Sequence, residues 1–533
     1  MNSWRSTAGG FLTAALLLAS SVAPTSIAST IPAWYGNGHR VDGAGDLIAR
    51  IASGATLPAS PAQNVGTSCQ AETSSSGNVQ VNCRAEDGAS RQNTQSETSV
   101  AAFGSTVVVG FNDSLVCCVP ALNFTGYSVS TDGGTTFTDE GDLPWQPNVQ
   151  PIGDPSVAVD NAGNFYFASL ALGSDGLGAH SLLAFYTMPA GSTGFQLTSV
   201  PVDVGSSELF FADKEYLAVG HDGNGQNHFY ITWTFFSSNP QSPIMLTDST
   251  DGVNWRTTMI SRADACAQGS NPVPAGGTLY VSWLQSVPAG CTDVTVTAAN
   301  AMMATVDIAS GSVSARTTIA PIHGDGDKIV SCNNAADLRE VIETAPGHDV
   351  RNFEMPTTAR DANGVLYAAW NDRPNGVGGD NSNATRIFLS VSRDGNRTWS
   401  APQVISGNLD TRTMNDRFQP WITTDASGVH AMWYERVRAT PVDLIQTDKV
   451  DLTLATTLSL PKAGRESMLS SVPFPVVQTN PNQDPVISNC YMGDYNNIVS
   501  DGKHRFVTWG DNRNRATTST GSENEPDVFL QVY

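Results

Sequence analysis

Apolar residues along this chain recur in short blocks separated by polar turns, a pattern that predicts strands rather than helices. In the clearest copies an apolar strand ends in an Asp-x-x-Gly turn, and a second apolar strand follows and ends in Trp or Phe. Such copies begin at Asp154, Pro356 and Pro420. The second strand is apolar at consecutive positions, which predicts burial on both of its faces.

Weaker copies of this unit begin near Glu97, Asp213, Ser270 and Asp494. Six intervals separate the first copy from the last, so the mean period is about 66 residues. A doubly buried strand pair that repeats about seven times predicts an all-β fold, a β-propeller with four-stranded antiparallel blades. A tandem of β-sandwiches is the alternative architecture. Six blades remain an alternative to seven if the copy near Ser270 is not a blade.

A second motif, S-x-D-G followed by an aromatic residue, occurs at 130–137, 249–255 and 392–399. We expect the aspartate to accept backbone N–H bonds, the glycine to be left-handed and the aromatic ring to cover the blade edge. These segments resemble the Asp-box (BNR) repeat, so residues 96–533 resemble the sialidase-like superfamily, including secreted exo-alpha-sialidases of the bacterial type. The resemblance implies a glycoside hydrolase that cleaves terminal, acidic sugars from glycans.

The N-terminus has the pattern of a signal peptide over residues 1–28. Arg5 precedes an apolar run at 11–19, and small residues at 26–28 form a cleavage site. The sequence therefore predicts a secreted or periplasmic protein, and no later stretch is long and apolar enough to be a membrane helix. Residues 29–95 form a Ser/Gly/Asn-rich leader. Within the leader, 78–82 could supply the outer strand that the last repeat lacks.

Export indicates that the eight cysteines form disulfides. The simplest local pairs are Cys69–Cys83 and Cys266–Cys291, although spacing alone does not establish the pairing. No C-x-x-C or H-E-x-x-H motif supports zinc, and no G-x-S-x-G motif supports a serine hydrolase. Turns at 222–225 and 324–327 offer oxygen ligands for structural calcium, but a solvated turn is the simpler interpretation, so no cofactor is predicted.

The charge balance restricts the partners. The chain has 28 Lys and Arg against 50 Asp and Glu, a net charge of −22. Nucleic acid would be repelled at long range, and so would an anionic membrane. The resemblance to the sialidase-like superfamily implies a glycan as the partner. An acidic glycan requires a local group of arginines that outweighs this charge.

Antiparallel connections place the segments that enter the first strand and leave the second strand of every repeat on one side of the disc, which we call the mouth. Charged residues from different repeats meet there. The predicted catalytic residues are Tyr495, Glu354, Glu435, Asp154 and Asp213, and the predicted substrate-binding residues are Arg373, Arg417, Arg436, Arg513 and Asp494. In this interpretation arginines bind an anionic substrate and carboxylates do acid–base work. The alternative is that each acid–arginine pair is a repeated interblade salt bridge.

The resemblance to sialidases implies specific roles for some of these residues. Tyr495 corresponds to the nucleophile, Glu354 or Glu435 to its activating acid, and the arginines to a substrate-binding triad. Sialidases also carry an F/Y-R-I-P motif in the first blade, whereas the matching segment 97–100 has no arginine. A non-catalytic propeller that binds glycan or protein is therefore an alternative, and so is a polysaccharide lyase. Residues 322–351 lengthen one repeat, either as a lid beside the mouth or as a loop without function.

Overall fold

The computed structural model describes most of the chain from residue 69 onward. The described residues are 45, 48, 69–72, 77–87, 90–115, 117, 122–175, 178–207, 209–221, 225–287, 299–324, 326, 328–332, 338–345, 348–373, 384–406, 415–437, 443–476, 484, 486–487, 490–518 and 521–533. The predicted signal peptide and most of the predicted leader lie outside them.

Antiparallel strands dominate the described residues and form eight sheets. Seven of these sheets have four or five strands, and we number them blades one to seven in chain order. The innermost strand of each blade contacts the innermost strand of the next, and that of blade seven contacts that of blade one. Sheets that radiate from a closed circuit of inner strands form a β-propeller, the predicted fold. A tandem of sandwiches would not return to its starting strand.

The strands of each blade are named from the axis outward. Blade one has β3 (Gln95–Phe103), β4 (Thr106–Asp113), β5 (Thr125–Ser130), β6 (Thr138–Asp142) and β1 (Cys69–Gln70). Blade two has β7 (Gln150–Val159), β8 (Phe165–Asp175), β9 (Gly178–Met188) and β10 (Gln196–Ser206). Blade three has β11 (Phe210–His221), β12 (Asn227–Ser237), β13 (Ile244–Ser249) and β14 (Arg256–Met259). Blade four has β15 (Ala267–Ala275), β16 (Thr278–Ser286), β17 (Ala299–Asp307) and β18 (Ser312–Ile322).

An additional sheet precedes blade five and consists of β19 (Lys328–Ser331), β20 (Leu338–Ala345) and β21 (His348–Arg351). Blade five has β22 (Thr357–Arg360), β23 (Leu366–Asp372), β24 (Arg386–Ser392) and β25 (Gln403–Val404). Blade six has β26 (Arg417–Asp425), β27 (Gly428–Val437), β28 (Leu444–Leu452) and β29 (Ser467–Met468), with β30 (Phe474–Pro475) beside β28. Blade seven has β31 (Asn497–Ser500), β32 (Arg505–Thr518), β33 (Gly521–Val532) and β2 (Val79–Gln80). The short helix α1 spans Arg84–Asp87.

The outer strand of blade seven comes from the N-terminal side of blade one. Strand β2 pairs antiparallel with β33, and the Asn82 side-chain carbonyl accepts the Val528 N–H at 2.8 Å. This non-local pairing covers an edge that the C-terminal strand would otherwise expose.

The S-x-D-G segments form the expected turns between the third and fourth strands of blades one, three and five. Asp132, Asp251 and Asp394 each accept two backbone N–H bonds, at 2.7–3.1 Å. The glycine that follows has a φ of 69–80° in all three turns. Strand β23 is buried at every position, as its run of consecutive apolar residues predicts.

The predicted disulfide Cys69–Cys83 is confirmed, with Cα atoms 6.1 Å apart. Cys291 lies outside the described residues, so the pair Cys266–Cys291 stays a prediction. A further disulfide, which the sequence did not indicate, joins Cys332 to Cys490 across 158 residues. No described helix has both the length and the apolar character needed to cross a membrane.

Candidate functional site

Among the described residues, the innermost strands of five blades have a β-bulge near their mouth ends, and in four of them the left-handed residue at the bulge is not a glycine. Glu97, Asp154, Lys214 and Gln419 each lie at a β-bulge and have φ values of 50–53°. Residues other than glycine rarely adopt this left-handed conformation, which carries a strain of about 1–3 kcal/mol. Bulges re-aim side chains, and strained residues concentrate at functional sites. The repeated bulge therefore marks the axial end of the mouth as a candidate site.

Five charged side chains meet at this axial end, and we call Glu97, Asp154, Lys214, Arg351 and Asp494 the axial cluster. Lys214 Nζ lies 2.7 Å from Asp494 Oδ2, and Arg351 Nε lies 2.8 Å from Asp494 Oδ1. The Asp494 N–H donates to Glu97 Oε1 at 2.8 Å, and the Lys214 N–H donates to Asp154 Oδ2 at 3.1 Å. All five residues are at most 3% exposed. The cluster is a buried network of paired charges.

The ionisation of the axial cluster follows from these contacts. Burial alone would raise the pKa of Asp494, but Arg351 and Lys214 outweigh it and hold this pKa below the ordinary value. Burial alone would lower the pKa of Lys214, but Asp494, Asp154 and Glu97 raise it. Because Asp494 and Lys214 stay charged at neutral pH, they can bind and orient polar groups electrostatically. They do not supply a proton.

Three aromatic side chains from different blades close the axis beside this cluster, and we call them the aromatic plug. The Tyr216 ring centroid lies 5.2 Å from that of Trp421 and 5.4 Å from that of Tyr495. The Tyr495 hydroxyl donates to the Pro155 carbonyl at 3.4 Å. Burial, together with the charges of Asp154 and Glu97, raises the pKa of Tyr495 well above its ordinary value. In this arrangement Tyr495 is a neutral phenol.

A second group of charged residues lies on blade six, and we call Arg417, Glu435, Asp448 and Glu466 the blade-six cluster. Arg417 lies opposite Glu435 in the β26–β27 ladder. Its Nη2 is 3.2 Å from Glu435 Oε2, and its Nε is 3.0 Å from Glu466 Oε1. Glu435 also hydrogen-bonds to Asp448. One oxygen from each of the three carboxylates lies within 4.8 Å of the others.

The blade-six cluster contains an acid that titrates near neutral pH. Burial, and then the hydrogen bond to Asp448, raise the pKa of Glu435 to about 7, although Arg417 opposes this shift. Burial also raises the pKa of Asp448. Carboxylates at this spacing can hold a cation, but Arg417 already supplies a positive charge there. The cluster is therefore suited to holding and transferring a proton.

The two clusters adjoin each other at the mouth. Gln419 follows Arg417 by two residues along β26, and its Nε2 donates to the Gly493 carbonyl at 2.8 Å. Gly493 directly precedes Asp494 of the axial cluster. The acid near neutral pH and the buried ion network are thus parts of one region.

The other predicted arginines are engaged in ion pairs. Arg373 Nη2 lies 2.7 Å from Asp416 Oδ1, and Arg436 Nη1 lies 3.0 Å from Asp416 Oδ2. Arg513 pairs with its near neighbour Asp511. The alternative of structural salt bridges, one of them between blades five and six, describes these contacts well.

The remaining predicted residues are Asp213 and Glu354. Asp213 is buried next to Lys214, and its Oδ2 accepts a hydrogen bond from Gln268 Nε2 at 3.4 Å. Glu354 is fully buried near Asp372. Burial, together with the Glu354 charge, raises the pKa of Asp372 against the opposing effect of His323.

The structure thus divides the predicted residues among several places. Asp154, Asp494, Tyr495 and the adjacent Asp213 lie at the axis, whereas Arg417 and Glu435 lie together on blade six. Arg373 and Arg436 share Asp416, and Arg513 pairs with Asp511. Glu354 follows Phe353, whose ring centroid lies 5.5 Å from Lys214 Nζ of the axial cluster. A catalytic or binding role for any of them stays a prediction. The predicted calcium turns include Asp222, Asp325 and Asp327, which are outside the described residues.

Sequence reasoning missed Lys214 and Glu97 as members of the axial cluster. Aligning the repeats would have found both, because they hold the position of Asp154 in the innermost strands of blades three and one. Arg351 had no comparable signal, since it is the last residue of the extra sheet and lies outside the repeat. Asp448 and Glu466 lie on or beside the outer strands of blade six, where no repeated motif marks them.

Comparisons with known proteins give distant structural similarities. The GH93 alpha-L-arabinofuranosidase of Fusarium graminearum, in complex with arabinobiose, shares 11% identity over 85% of this chain and 97% of that chain, with a TM-score of 0.43. The Penicillium chrysogenum alpha-L-arabinanase complexed with arabinobiose shares 9% identity over 87% and 98% of the two chains, with a TM-score of 0.40. The Trypanosoma rangeli sialidase in complex with the inhibitor DANA shares 10% identity over 71% and 59%, with a TM-score of 0.39.

No protein-family model matches the sequence, and no curated protein matches it. The similar structures have low identities and TM-scores below 0.5, so they assign neither an activity nor a substrate to this chain. The chain's own sheets form a β-propeller with two adjoining charged clusters at its mouth.

Proposed function

We propose that the protein is an exported β-propeller glycoside hydrolase whose acid–base chemistry takes place at the blade-six cluster. The observation that carries the proposal is the position of Glu435, which lies beside the carboxylates of Asp448 and Glu466, where burial and Asp448 raise its pKa to about 7. Glycoside hydrolysis needs one carboxylic acid that is protonated at working pH and a second carboxylate that is ionised. Glu435 fits the first role, and Glu466, in its ion pair with Arg417, fits the second.

The proposed reaction follows from these two states. Glu435 donates its proton to the glycosidic oxygen while a Glu466 oxygen bonds to the anomeric carbon, and the bond to the leaving alcohol breaks. A water molecule then attacks the anomeric carbon while Glu435 takes a proton from that water. The bond between Glu466 and the anomeric carbon breaks, and the free sugar is released. One oxygen of Glu435 and one oxygen of Glu466 lie within 4.8 Å of each other. This spacing is closer to the roughly 5–5.5 Å of retaining glycosidases than to the roughly 6.5–9.5 Å of inverting ones.

The resemblance-based expectation of an acidic, sialic-acid-like sugar needs arginines that can hold a substrate carboxylate. Arg373 and Arg436 share Asp416, and Arg417 pairs with Glu435 and Glu466. Because these arginines are already paired with protein carboxylates, they do not by themselves select an acidic sugar over a neutral one. The test panel therefore places neutral aryl glycosides beside uronides and sialosides.

The test compares the purified protein with Glu435→Gln on this panel. Loss of the acid should lower the rate by at least 100-fold on a glycoside with a poor leaving group. Activity should largely return on a dinitrophenyl glycoside, which needs no protonation to leave. The control is Glu140→Gln, on β6 of blade one, which should retain the parent rate. The proposal fails if the parent hydrolyses nothing on the panel, or if Glu435→Gln matches it on both kinds of substrate.

A non-catalytic propeller that binds glycan is the second candidate function. The observation that favours it is the absence of an arginine in the first-blade segment 97–100. Binding on a glycan array without turnover of any panel substrate would support it. The third candidate, a lyase acting on uronate polysaccharides, would give unsaturated products that absorb in the ultraviolet.

A further inference from the structure

The second strands of blades four to seven each contain a buried tryptophan that is followed, two positions later, by a polar residue. The four pairs are Trp283 and Gln285, Trp370 and Asp372, Trp433 and Glu435, and Trp509 and Asp511. Residues two positions apart on a strand point to the same face of the sheet. Because each tryptophan is at most 1% exposed, its indole N–H needs a partner inside the protein.

In blades four and seven the indole N–H binds the polar residue two positions later. Trp283 Nε1 donates to Gln285 Oε1 at 3.3 Å, and Trp509 Nε1 donates to Asp511 Oδ2 at 3.1 Å. The side chains of glutamine and glutamate have the same length. The contact in blade four therefore shows that a side chain as long as Glu435 can reach an indole at this position of a blade.

Blade six departs from this arrangement. The Trp433 N–H is buried and has no hydrogen-bond partner among the described residues, whereas Glu435 hydrogen-bonds to Asp448. Asp448 lies opposite Trp433 on the third strand of the blade. In blades four, five and seven the residue at that position is apolar, namely Met302, Phe388 and Phe529. The acid that is present only in blade six thus competes with the indole for Glu435.

The surroundings of Glu435 suit its two protonation states differently. Protonated Glu435 donates its hydrogen to Asp448. Ionised Glu435 has no hydrogen to donate, and the carboxylates of Asp448 and Glu466 then repel it. Its remaining partners are Arg417, with Nη2 at 3.2 Å, and Asn415, whose Nδ2 donates at 2.5 Å. Arg417 is shared with Glu466, so it neutralises Glu435 only in part.

We infer that Trp433 is a positioning residue for Glu435, because its indole N–H is the hydrogen-bond donor that Glu435 takes up when it gives its proton away. Ionised Glu435 turns from Asp448 to the indole, in the manner of Gln285 in blade four. An indole N–H only donates, and it binds a carboxylate more strongly than a neutral carboxylic acid. The role in catalysis rests on the proposed function, whereas the hydrogen bond itself does not depend on turnover.

The test is nuclear magnetic resonance of the indole N–H groups in the full chain at a series of pH values. The Trp433 resonance, identified as the one that Trp433→Phe lacks, should move downfield as the pH rises through about 7. The side-chain carboxyl carbon of Glu435 should titrate with the same midpoint. In Glu435→Gln the Trp433 resonance should not depend on pH. The Trp509 resonance, whose N–H is already bound to Asp511, should not follow this midpoint in the parent.

A substitution tests the direction of the effect. Trp433→Phe keeps an aromatic ring and removes the N–H, so ionised Glu435 loses a donor, and the midpoint of its carboxyl carbon should rise by about one pH unit. The matched control is Trp370→Phe in blade five, which removes an equally buried indole N–H without a partner among the described residues. Its Glu435 midpoint should equal that of the parent. If the parent hydrolyses a glycoside, the alkaline limb of its pH–rate profile should rise by the same amount in Trp433→Phe.

Two results overturn the inference. One is a Trp433 resonance that does not titrate with Glu435, or that still titrates in Glu435→Gln. The other is an unchanged Glu435 midpoint in a folded Trp433→Phe variant. If that variant does not fold, the parent compared with Glu435→Gln decides alone. A titrating indole in a protein that hydrolyses no glycoside would support the hydrogen bond and contradict the proposed function. Hydrolysis with an indole that does not titrate would do the reverse.

Discussion

Arg373 of blade five donates to Asp416, at the entry of blade six, with Nη2 and Oδ1 2.7 Å apart and both side chains almost fully buried. The other Asp416 oxygen binds Arg436 at 3.0 Å. One carboxylate thus joins arginines of two neighbouring blades. A buried charge held in this way fixes the register of the blades, because neither partner can be solvated if the pair separates.

We predict that Arg373→Gln lowers the free energy of unfolding by about 2–4 kcal/mol, because Asp416 remains buried with only one cationic partner. Denaturant unfolding at pH 7 measures this. The control is Arg262→Gln, which removes an exposed pair with Asp264 whose side chains are 71% and 64% exposed, and it should leave the free energy of unfolding nearly unchanged because solvent screens this pair. Similar losses in the two variants would contradict the prediction.

The buried tyrosines Tyr216 and Tyr434 provide a matched pair. The Tyr216 hydroxyl has no hydrogen-bond partner among the described residues, whereas the Tyr434 hydroxyl lies 2.6 Å from the Gly510 carbonyl and 2.9 Å from Asn496 Oδ1. Tyr216→Phe should therefore leave stability unchanged or raise it, and Tyr434→Phe should lower it by about 1–2 kcal/mol. Thermal and denaturant unfolding would measure the stability of both variants. A larger loss of stability in Tyr216→Phe than in Tyr434→Phe would contradict the prediction.

Because Asn82 helps to close blade seven, we predict that Asn82→Ala lowers the free energy of unfolding. Asn82 Nδ2 donates to Asp527 Oδ1 at 2.7 Å, and its carbonyl accepts the Val528 N–H at 2.8 Å. Removing this side chain leaves buried polar groups unpaired, so stability should fall by about 1–3 kcal/mol. Asn524→Ala, near the far end of β33, should change it by less than about 0.5 kcal/mol. Equal stability of the two variants would show that β2 does not hold the blade.

Glu435 predicts a pH dependence of stability. Its pKa is raised to about 7 in the folded protein and is about 4.3 in an unfolded chain. The folded state therefore binds more protons between these values, so the contribution of Glu435 is fully present below about pH 4.3 and is lost as the pH rises through 7. The loss is on the order of 3 kcal/mol. Glu435→Gln should remove this slope, as unfolding at pH 5 and pH 8 would measure, and an unchanged slope would exclude Glu435 as its source.

Much of the blade could be predicted from local sequence. The Asp-x-x-Gly and S-x-D-G turns depend on hydrogen bonds between residues two to four positions apart, such as Asp132 to the Thr136 N–H. Burial of β23 on both faces follows from its composition alone. The candidate site was less predictable, because its contacts join residues hundreds of positions apart, as Lys214 and Asp494 do.

The sequence by itself determined the type of strand, the turns that join the strands and the side of the disc on which charged residues collect. These properties depend on neighbours along the chain, so the sequence of each repeat is enough to predict them. Only the tertiary structure decided which charges meet. Arg373 and Arg436 both bind Asp416. Burial beside Asp448 raises the pKa of Glu435 to about 7. Arg351 binds Asp494 from a sheet outside the repeat. The physical reason is that charge pairing and desolvation depend on the three-dimensional path of bulges and insertions, which a repeat pattern does not encode.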